Sequence, residues 1–412
     1  MDRTDSRRRF PWIPVALTLL VIVGMMLPLD PIRDAVTRGP VTDARLERGF
    51  WYSALGPISS GLDALTLFTV GQIIGFTLWV FGLYGFWRFF ARRRSPVAWS
   101  VEGWYAALAL LSLCVVYAAA AILKRPMAQL IITRTDAIAV DFHSHTKYSH
   151  DGRWDWTAAD VADWHDDAGF NVAYITDHAT LDGARDGARL DSTVAGQGTM
   201  LLPGIEAFYY GEHVNLLSAG TRYRGVTTAD LRDIDTSSLR LASLIPNLEP
   251  VLVHTIPGKL AAIHAAQGPS TTGVRAIEIV DGSPRGMSQA RRDHDLIVHI
   301  ADSLDLALVA GSDNHGWGRV APGWTLVRIP NWRGYAPNLL ADEIEKIIRL
   351  ARRRGTLVVE RTTANASPLG VALAFPVVAV TVARTLSGSE QLAWIFWIWI
   401  PWLAFQLRRR LH

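Results

Sequence analysis

Charged side chains are scarce in this sequence. Asp, Glu, Lys and Arg make up only 19% of its 412 residues, whereas a soluble globular chain carries about 25%. Half of the residues are hydrophobic, and the mean hydropathy is +0.16. This composition argues against a disordered or a purely soluble protein and indicates membrane-spanning segments. The length itself is too great for one ordinary domain and favours two or three units.

The sequence also lacks a dominant charge sign and contains only one cysteine. The net charge of +3 is the difference between 41 basic and 38 acidic side chains, so nucleic acid is not expected as a partner. The single cysteine, Cys114, excludes a disulfide framework and a thiolate metal cluster. Cys114 lies in an apolar run, where we expect it to be a small buried hydrophobic residue.

Five stretches contain no charged residue and predict membrane helices. We expect the first three to span the bilayer; the second would rise about 36 Å as a helix, against a hydrocarbon core of about 30 Å. An uncleaved first anchor is favoured over a signal peptide, because Pro28 and Leu29 are poor cleavage-site residues. Pro376 and Pro401 interrupt the last two stretches, which we expect to form a helical hairpin. The stretches are Pro11–Leu29, Ala64–Trp87, Gly103–Leu123, Ala366–Ala383 and Gln391–Leu407.

These stretches divide the chain into three parts. Residues 1–132 are expected to form an N-terminal membrane region, 133–363 a soluble domain, and 364–412 a C-terminal membrane region with one or two helices. Within the second stretch, Gly71 and Gly75 form a G-x-x-x-G pair that could mediate self-association between helices. Glycine is, however, frequent in membrane helices without such a role.

Arginines near the early spans indicate the orientation. They precede the first span and fill the short connection between the second and third, which places both on the inner side of a bacterial-type inner membrane. The soluble domain is then expected on the extracytoplasmic side. The arginines after the last span oppose this assignment unless one of the last two segments is re-entrant. These residues are Arg3, Arg7, Arg8, Arg9, Arg88, Arg92, Arg93, Arg94, Arg408, Arg409 and Arg410.

The soluble domain alternates apolar runs with helix-compatible stretches. The runs show no polar alternation, as expected for strands buried on both faces. About seven strand–helix units in about 230 residues favour a closed parallel β/α barrel over an open sheet. Helices are predicted from Thr157 to Gly169, over Gln289–Asp302 and over Leu339–Arg353. The predicted strands are Ala137–Phe142, Asn171–Thr176, Met200–Ile205, Val214–Ser218, Pro250–Val253, Ala276–Val280 and Leu306–Ala310.

Histidine is concentrated in this domain, where 11 of the 12 lie between His143 and His315. Five predicted strands end in His, Asp or Glu, and the carboxyl ends of barrel strands converge on one rim. Imidazoles and carboxylates without cysteine are the ligand set of zinc, manganese or iron. A metal site is therefore predicted at this rim. We expect His165, His264, His294 and His299, which lie in helical stretches, to be structural; His150 is ambiguous.

The segment Asp141–Gly152, with the sequence DFHSHTKYSHDG, resembles the first motif of the polymerase-and-histidinol-phosphatase (PHP) superfamily. Its later motifs are matched in order by Ile175–His178, Pro203–Glu206, Val253–His254 and Gly311–His315. The resemblance covers roughly residues 137–329 and none of the predicted spans. It implies a distorted seven-stranded β/α barrel with two or three divalent metal ions that hydrolyses phosphate esters.

The resemblance also implies the metal ligands. One ion would be held by His143, His145, Glu206 and Asp313. Glu206 would bridge to a second ion, held also by His254 and His213. A third would be held by Asp151, His178 and His315. Two features depart from the family pattern: Asp151 stands where many relatives have histidine, and His213 lies outside any sharp motif.

The ligand set suits phosphate-ester hydrolysis, because clustered cations acidify water and neutralise phosphoryl charge. Glu206, Asp313 and Arg285 are the candidate catalytic residues, and Arg285 is expected to contact the phosphate. Lys147, Arg153 and Lys259 are weaker candidates for that contact. Two alternatives remain open: a metal-dependent hydrolase of a non-phosphate bond, and an inactive metal-binding domain that senses or scaffolds at the membrane.

Overall fold

The structure is a computed structural model that describes residues 11–94, 98–190, 196, 198–209, 212–217, 251–255, 274–364 and 370–411. Several residues considered above lie outside these ranges: Arg3, Arg7, Arg8, Arg9, Lys259 and His264.

Twelve strands are formed by the described residues, and ten of them join in one mixed sheet. The order in the sheet is β1-β12-β11-β4-β5-β6-β7-β8-β9-β10, and β2 pairs separately with β3. The strands are β1 Ile32–Asp34, β2 Ala44–Arg48, β3 Ala128–Ile132, β4 Ala137–Ser144, β5 Val172–Ile175, β6 Met200–Tyr209, β7 Glu212–Leu217, β8 Val251–His254, β9 Val274–Val280, β10 Ala307–Ala310, β11 Gly323–Arg328 and β12 Thr356–Arg361.

All seven predicted strands are present, as β4 to β10, but they do not form the expected seven-stranded parallel barrel. β7 runs antiparallel to both of its neighbours, β6 and β8, and only two residues separate β6 from β7, too few for a helix. β11 and β12 were not predicted and also pair antiparallel. The ten-stranded sheet curls into a half-barrel, and β4 to β10 alone do not close into a barrel. At its open side the Thr356 hydroxyl donates to the Leu308 carbonyl at 2.7 Å.

Eleven α-helices are formed by the described residues. They are α1 Trp12–Met26, α2 Phe50–Ala54, α3 Gly56–Thr66, α4 Val70–Arg94, α5 Trp99–Ile122, α6 Ala158–Ala168, α7 Asp182–Leu190, α8 Pro284–Leu304, α9 Pro337–Leu350, α10 Gly370–Thr385 and α11 Gly388–Leu411. The capping box predicted at α6 is formed by Thr157 and Asp160, and left-handed Gly169 ends the helix. The chain before residue 133 also enters the soluble fold, because β1 pairs with β12.

The second charge-free stretch is not one helix. α3 ends at Thr66 and α4 begins at Val70. Thr69 and Gln72 cause this break, because each side chain accepts a hydrogen bond from the backbone N–H of the other, which is a capping box for a new helix. The prediction that Ala64–Trp87 forms a single span was therefore wrong at its start.

Among the helices that the structure describes, two are long and apolar enough to cross a membrane, over Val70–Ala91 and Trp99–Ile122. α1 and α10 are apolar but shorter, with 15 and 16 residues. A methyl group on Gly75 would lie 2.6 Å from the carbonyl oxygen of Val371, so this glycine allows α4 and α10 to approach closely within the chain. The expectation that Cys114 is buried was wrong. It lies exposed on α5, because most of this helix faces away from the rest of the protein.

An apolar cluster packs against the strands that carry the site. β4 is buried along its whole length, and the Phe142 and Tyr174 rings stack between β4 and β5 at 5.6 Å. α9 covers the same face with Leu340, Ile344 and Ile348, all fully buried. The predicted closing helix is thus packed on the sheet, in the same apolar cluster as Phe142 of β4 and Tyr174 of β5.

Candidate metal centre

Backbone hydrogen bonds between strand ends bring the predicted ligands together. The Asp313 N–H donates to the His143 carbonyl at 2.8 Å, which ties the end of β10 to β4. The Ala179 N–H donates to the Glu206 carbonyl at 2.9 Å, which ties the loop after β5 to β6. Residues far apart in sequence therefore meet at one rim of the sheet, as predicted from the strand ends.

Glu206 lies at the centre of this cluster. Its Oε2 is 3.1 Å from His143 Nε2, 3.3 Å from His145 Nε2 and 3.3 Å from His178 Nδ1. Its other oxygen, Oε1, is 2.5 Å from Nδ1 of His213. A single carboxylate with imidazoles around both oxygens can bridge two cations, and His213, the least expected ligand, lies within reach.

Asp313 forms a second centre beside the first. Its Oδ1 lies 3.4 Å from His143 Nε2, 3.3 Å from His145 Nε2 and 3.4 Å from His315 Nδ1. The Asp313 backbone is left-handed, with φ of 46°, a conformation that costs energy for a residue with a side chain. This strain is typical of functional sites, and here it accompanies the turn of the carboxylate toward the three imidazoles.

Asp151 lies at the outer edge. Its Oδ1 is 3.1 Å from His315 Nε2 and 3.6 Å from His178 Nε2, and its side chain is about half exposed. His150, left ambiguous by the sequence, is mostly exposed, with Nδ1 3.9 Å from Asp151. The structure therefore places Asp151, His178 and His315 together, as expected for a third group of ligands, with one side open to solvent.

Four groups of three residues have ligand atoms within 4.8 Å of one another. They are His145, His178 and His315; His143, His145 and Asp313; His150, Asp151 and His178; and His178, Glu206 and His213. Among the described residues, His254 joins none of these groups. It is buried at the end of β8, next to Val214 in register, and burial lowers its pKa to about 4, so the ring is neutral.

The carboxylates of the cluster stabilise the protonated, positively charged form of the neighbouring histidines. Burial disfavours the imidazolium form of His143, but Glu278 and Glu206 outweigh it and raise the pKa well above its ordinary value. For His145, burial is likewise outweighed by Asp313 and Glu206, and the pKa rises to about 9. The pKa of Glu206 is lowered by the same imidazoles against the effect of burial. These carboxylates would equally favour a metal cation bound between the imidazoles.

The donor set fits metal ions. The buried Nε2 atoms of His145 and His315 lie 3.1 to 3.3 Å from carboxylate oxygens but make no well-aligned hydrogen bond to them, although buried polar atoms in proteins are nearly always satisfied. Both belong to the imidazole–carboxylate groups described above. Imidazole nitrogens and carboxylate oxygens without sulfur suit zinc, manganese or iron.

Sequence reasoning missed Glu278 and Asp281. Glu278 is fully buried in β9, and its Oε1 lies 3.0 Å from Nδ1 of His143. Asp281 follows β9, and burial together with Asp313 raises its pKa well above the ordinary value. A signal for Glu278 was present: it is a lone carboxylate between Ile277 and Ile279 in an apolar strand, and buried charges are almost always paired.

Arg285 and Arg153 were candidates for the contact with phosphate, and His165 was expected to be structural. Arg285 lies exposed in the first turn of α8, and none of the described hydrogen bonds or ion pairs joins it to the cluster. Arg153 is close, because its N–H donates to the His315 carbonyl at 2.9 Å and its Nη1 donates to Gly316. His165 is structural as predicted, buried with Nε2 2.7 Å from Asp141.

Comparison with known proteins gives similarity to solved structures alone. No family model and no curated protein matches the chain. PsfC from Pseudomonas syringae is 17% identical, with a TM-score of 0.37 over 60% of this chain and 97% of its own. A two-domain protein from Bacteroides vulgatus containing a predicted PHP-like metal-dependent phosphoesterase is 17% identical, with a TM-score of 0.32 over 55% of this chain and 65% of its own.

A lesion-specific endonuclease from Pyrococcus furiosus is 11% identical, with a TM-score of 0.35 over 52% of this chain and 56% of its own. The three TM-scores lie below 0.5. Any function proposed for this chain therefore rests on the residues of its own site.

Proposed function

We propose that this chain is a membrane-anchored, metal-dependent phosphoesterase that hydrolyses a phosphate ester with water. The observation that carries the proposal is the group of imidazoles within 3.1 to 3.3 Å of one buried carboxylate oxygen, that of Glu206. α4 and α5 would insert in the bilayer, and residues 133–363 would form the catalytic domain on its extracytoplasmic side.

Each residue of the cluster has a part in this proposal. His143, His145 and Asp313 would hold one ion, Glu206 would bridge to a second beside His213, and Asp151, His178 and His315 would hold a third. Two or three divalent zinc, manganese or iron ions in this place would acidify a bound water and neutralise charge on the phosphoryl oxygens. His254, which joins none of the described ligand groups, remains a candidate for the second ion only through the resemblance to PHP proteins.

The chain's own residues would do the remaining work. Glu278 fixes the His143 ring by accepting from Nδ1, so that Nε2 points toward Glu206. Arg153 ties the loop of Asp151 to the loop of His315, which keeps two elements of the open side in register. Arg285, on the helix that follows Asp281, would supply a cation to the phosphate once the substrate is bound.

Hydrolysis by the full-length protein in detergent tests this function. Phosphate release would be measured from phosphomonoesters and phosphodiesters after loading with zinc, manganese or iron, with His145→Gln as the inactive control. We expect at least one ester class to be cleaved only by the metal-loaded parent. Cleavage of amides but of no phosphate ester would instead identify a different hydrolase. Bound metal without any hydrolysis would indicate a sensor or scaffold.

A further inference from the structure

The loop that carries Asp313 and His315 rests on the end of a candidate membrane helix. The Gly318 N–H donates to the carbonyl of Ala121, in the last turn of α5, at 2.6 Å. Val320 of the same loop packs with Leu67, at the end of α3. The rim of the metal cluster is therefore joined to the place where α5 ends.

The start of α8, the next element along the rim, makes a matching contact with α4. The Val70 N–H, at the first residue of α4, donates to the Ser288 hydroxyl at 3.0 Å. Far from this contact, Arg88 near the end of α4 pairs with Glu102 near the start of α5. The two helices therefore run antiparallel. The start of α4 and the end of α5 thus share one membrane surface, and two rim elements of the cluster contact it.

Large aromatic side chains are exposed on the same rim. Trp154 is 84% exposed and Trp317 is 49% exposed. Trp317 lies between His315 and Gly318, so it sits beside the end of α5. Trp154 follows Arg153, which bonds to the His315 and Gly316 carbonyls. Tryptophan is enriched at the membrane–water interface, where its ring lies among the headgroups.

We propose that the phosphate ester is the headgroup of a membrane lipid, which enters the cluster from the leaflet surface where α4 begins and α5 ends. This inference rests on the proposed phosphoesterase function and adds the substrate class to it. A water-soluble ester would need neither the contact of the rim with the helix ends nor exposed tryptophans beside the ligands. Lys147, exposed in the first rim loop, adds a positive charge that attracts anionic headgroups.

The test compares a lipid and a soluble substrate on the same preparation. Full-length protein loaded with manganese would be reconstituted in phosphatidylcholine vesicles that contain a minor share of phosphatidic acid. Phosphate release would be measured from that lipid and, separately, from p-nitrophenyl phosphate. We expect the lipid to be the better substrate by kcat/KM.

Variants then test the rim itself. In the double variant Trp154→Ala, Trp317→Ala, the ratio of lipid to soluble-ester turnover should fall about tenfold, because the two rings can no longer insert among the lipid headgroups. Phe at both positions should retain most of the ratio. Leu350→Ala, at an exposed apolar residue outside the rim loops, should leave it unchanged.

The outcomes separate the two proposals. Hydrolysis of the soluble ester without hydrolysis of the lipid, or an unchanged ratio in the double variant, would overturn the lipid assignment and leave the phosphoesterase standing. Failure to hydrolyse either ester would overturn both.

Discussion

Glu278 and His143 form a buried pair at the base of the candidate metal centre, with Oε1 and Nδ1 3.0 Å apart. The contact orients the ring so that its other nitrogen lies 3.1 Å from Glu206. Carboxylates behind metal-bound histidines fix the tautomer and increase the basicity of the ligand. In the proposed enzyme, Glu278 would therefore act through His143 rather than on the substrate.

Replacing Glu278 should weaken metal binding. In Glu278→Gln the negative charge behind His143 is lost, and we expect affinity for the tightest ion to fall about 10- to 100-fold. Titration of the metal-free protein with zinc, followed by calorimetry, measures this. Glu345→Gln, at another fully buried carboxylate on α9, is the matched control and should bind metal as the parent does. Equal affinities in both variants would remove Glu278 from the site.

The bridging role of Glu206 gives a stronger prediction. An amide cannot offset the repulsion between two cations, so Glu206→Gln should lose at least about a hundredfold in turnover, more than a residue behind the ligands would cost. The far-ultraviolet circular dichroism spectrum should stay as in the parent, because the substitution keeps the side-chain volume. Near-normal turnover would show that Glu206 bridges nothing.

How far the sequence leads differs between the site and the fold. The site could be located because His, Asp or Glu follows five predicted apolar strands, and strand ends of one sheet converge; the assignment of individual ligands came from the resemblance to PHP proteins. Glu278 was missed because it lies inside such a run, where strand patterning alone expects an apolar residue. β1, β11 and β12 were missed because their pairing joins residues far apart in sequence, such as Ile32 and Arg361, which no local pattern reveals.

Arg285 provides a prediction about the phosphate. A charge-assisted contact contributes roughly 1.5–3 kcal/mol, so Arg285→Ala should weaken ester binding about ten- to a hundredfold while metal affinity stays constant. Steady-state kinetics on the best ester gives the comparison. Arg292→Ala, at another exposed arginine of α8, is the control. An unchanged KM and kcat would show that Arg285 is an ordinary solvated residue.

Orientation in the membrane can be read with reporter fusions. We expect alkaline phosphatase fused after Thr135 to be active and a fluorescent protein fused there to be dark. The arginines before the first predicted span, and those between the second and third, keep these two segments on the inner side of the membrane. A second pair of fusions at the C-terminus reports whether the last segments return the chain to the inner side. A bright fluorescent fusion and an inactive phosphatase at Thr135 would place the catalytic domain in the cytoplasm.

Metal content tests the central claim most directly. Full-length protein would be stripped with chelator, reloaded with zinc or manganese, dialysed and measured by elemental analysis, beside a double variant, His143→Gln, His145→Gln. The account predicts two or three ions per chain in the parent and a loss of at least one in the variant. Less than one ion per chain in the parent would contradict it.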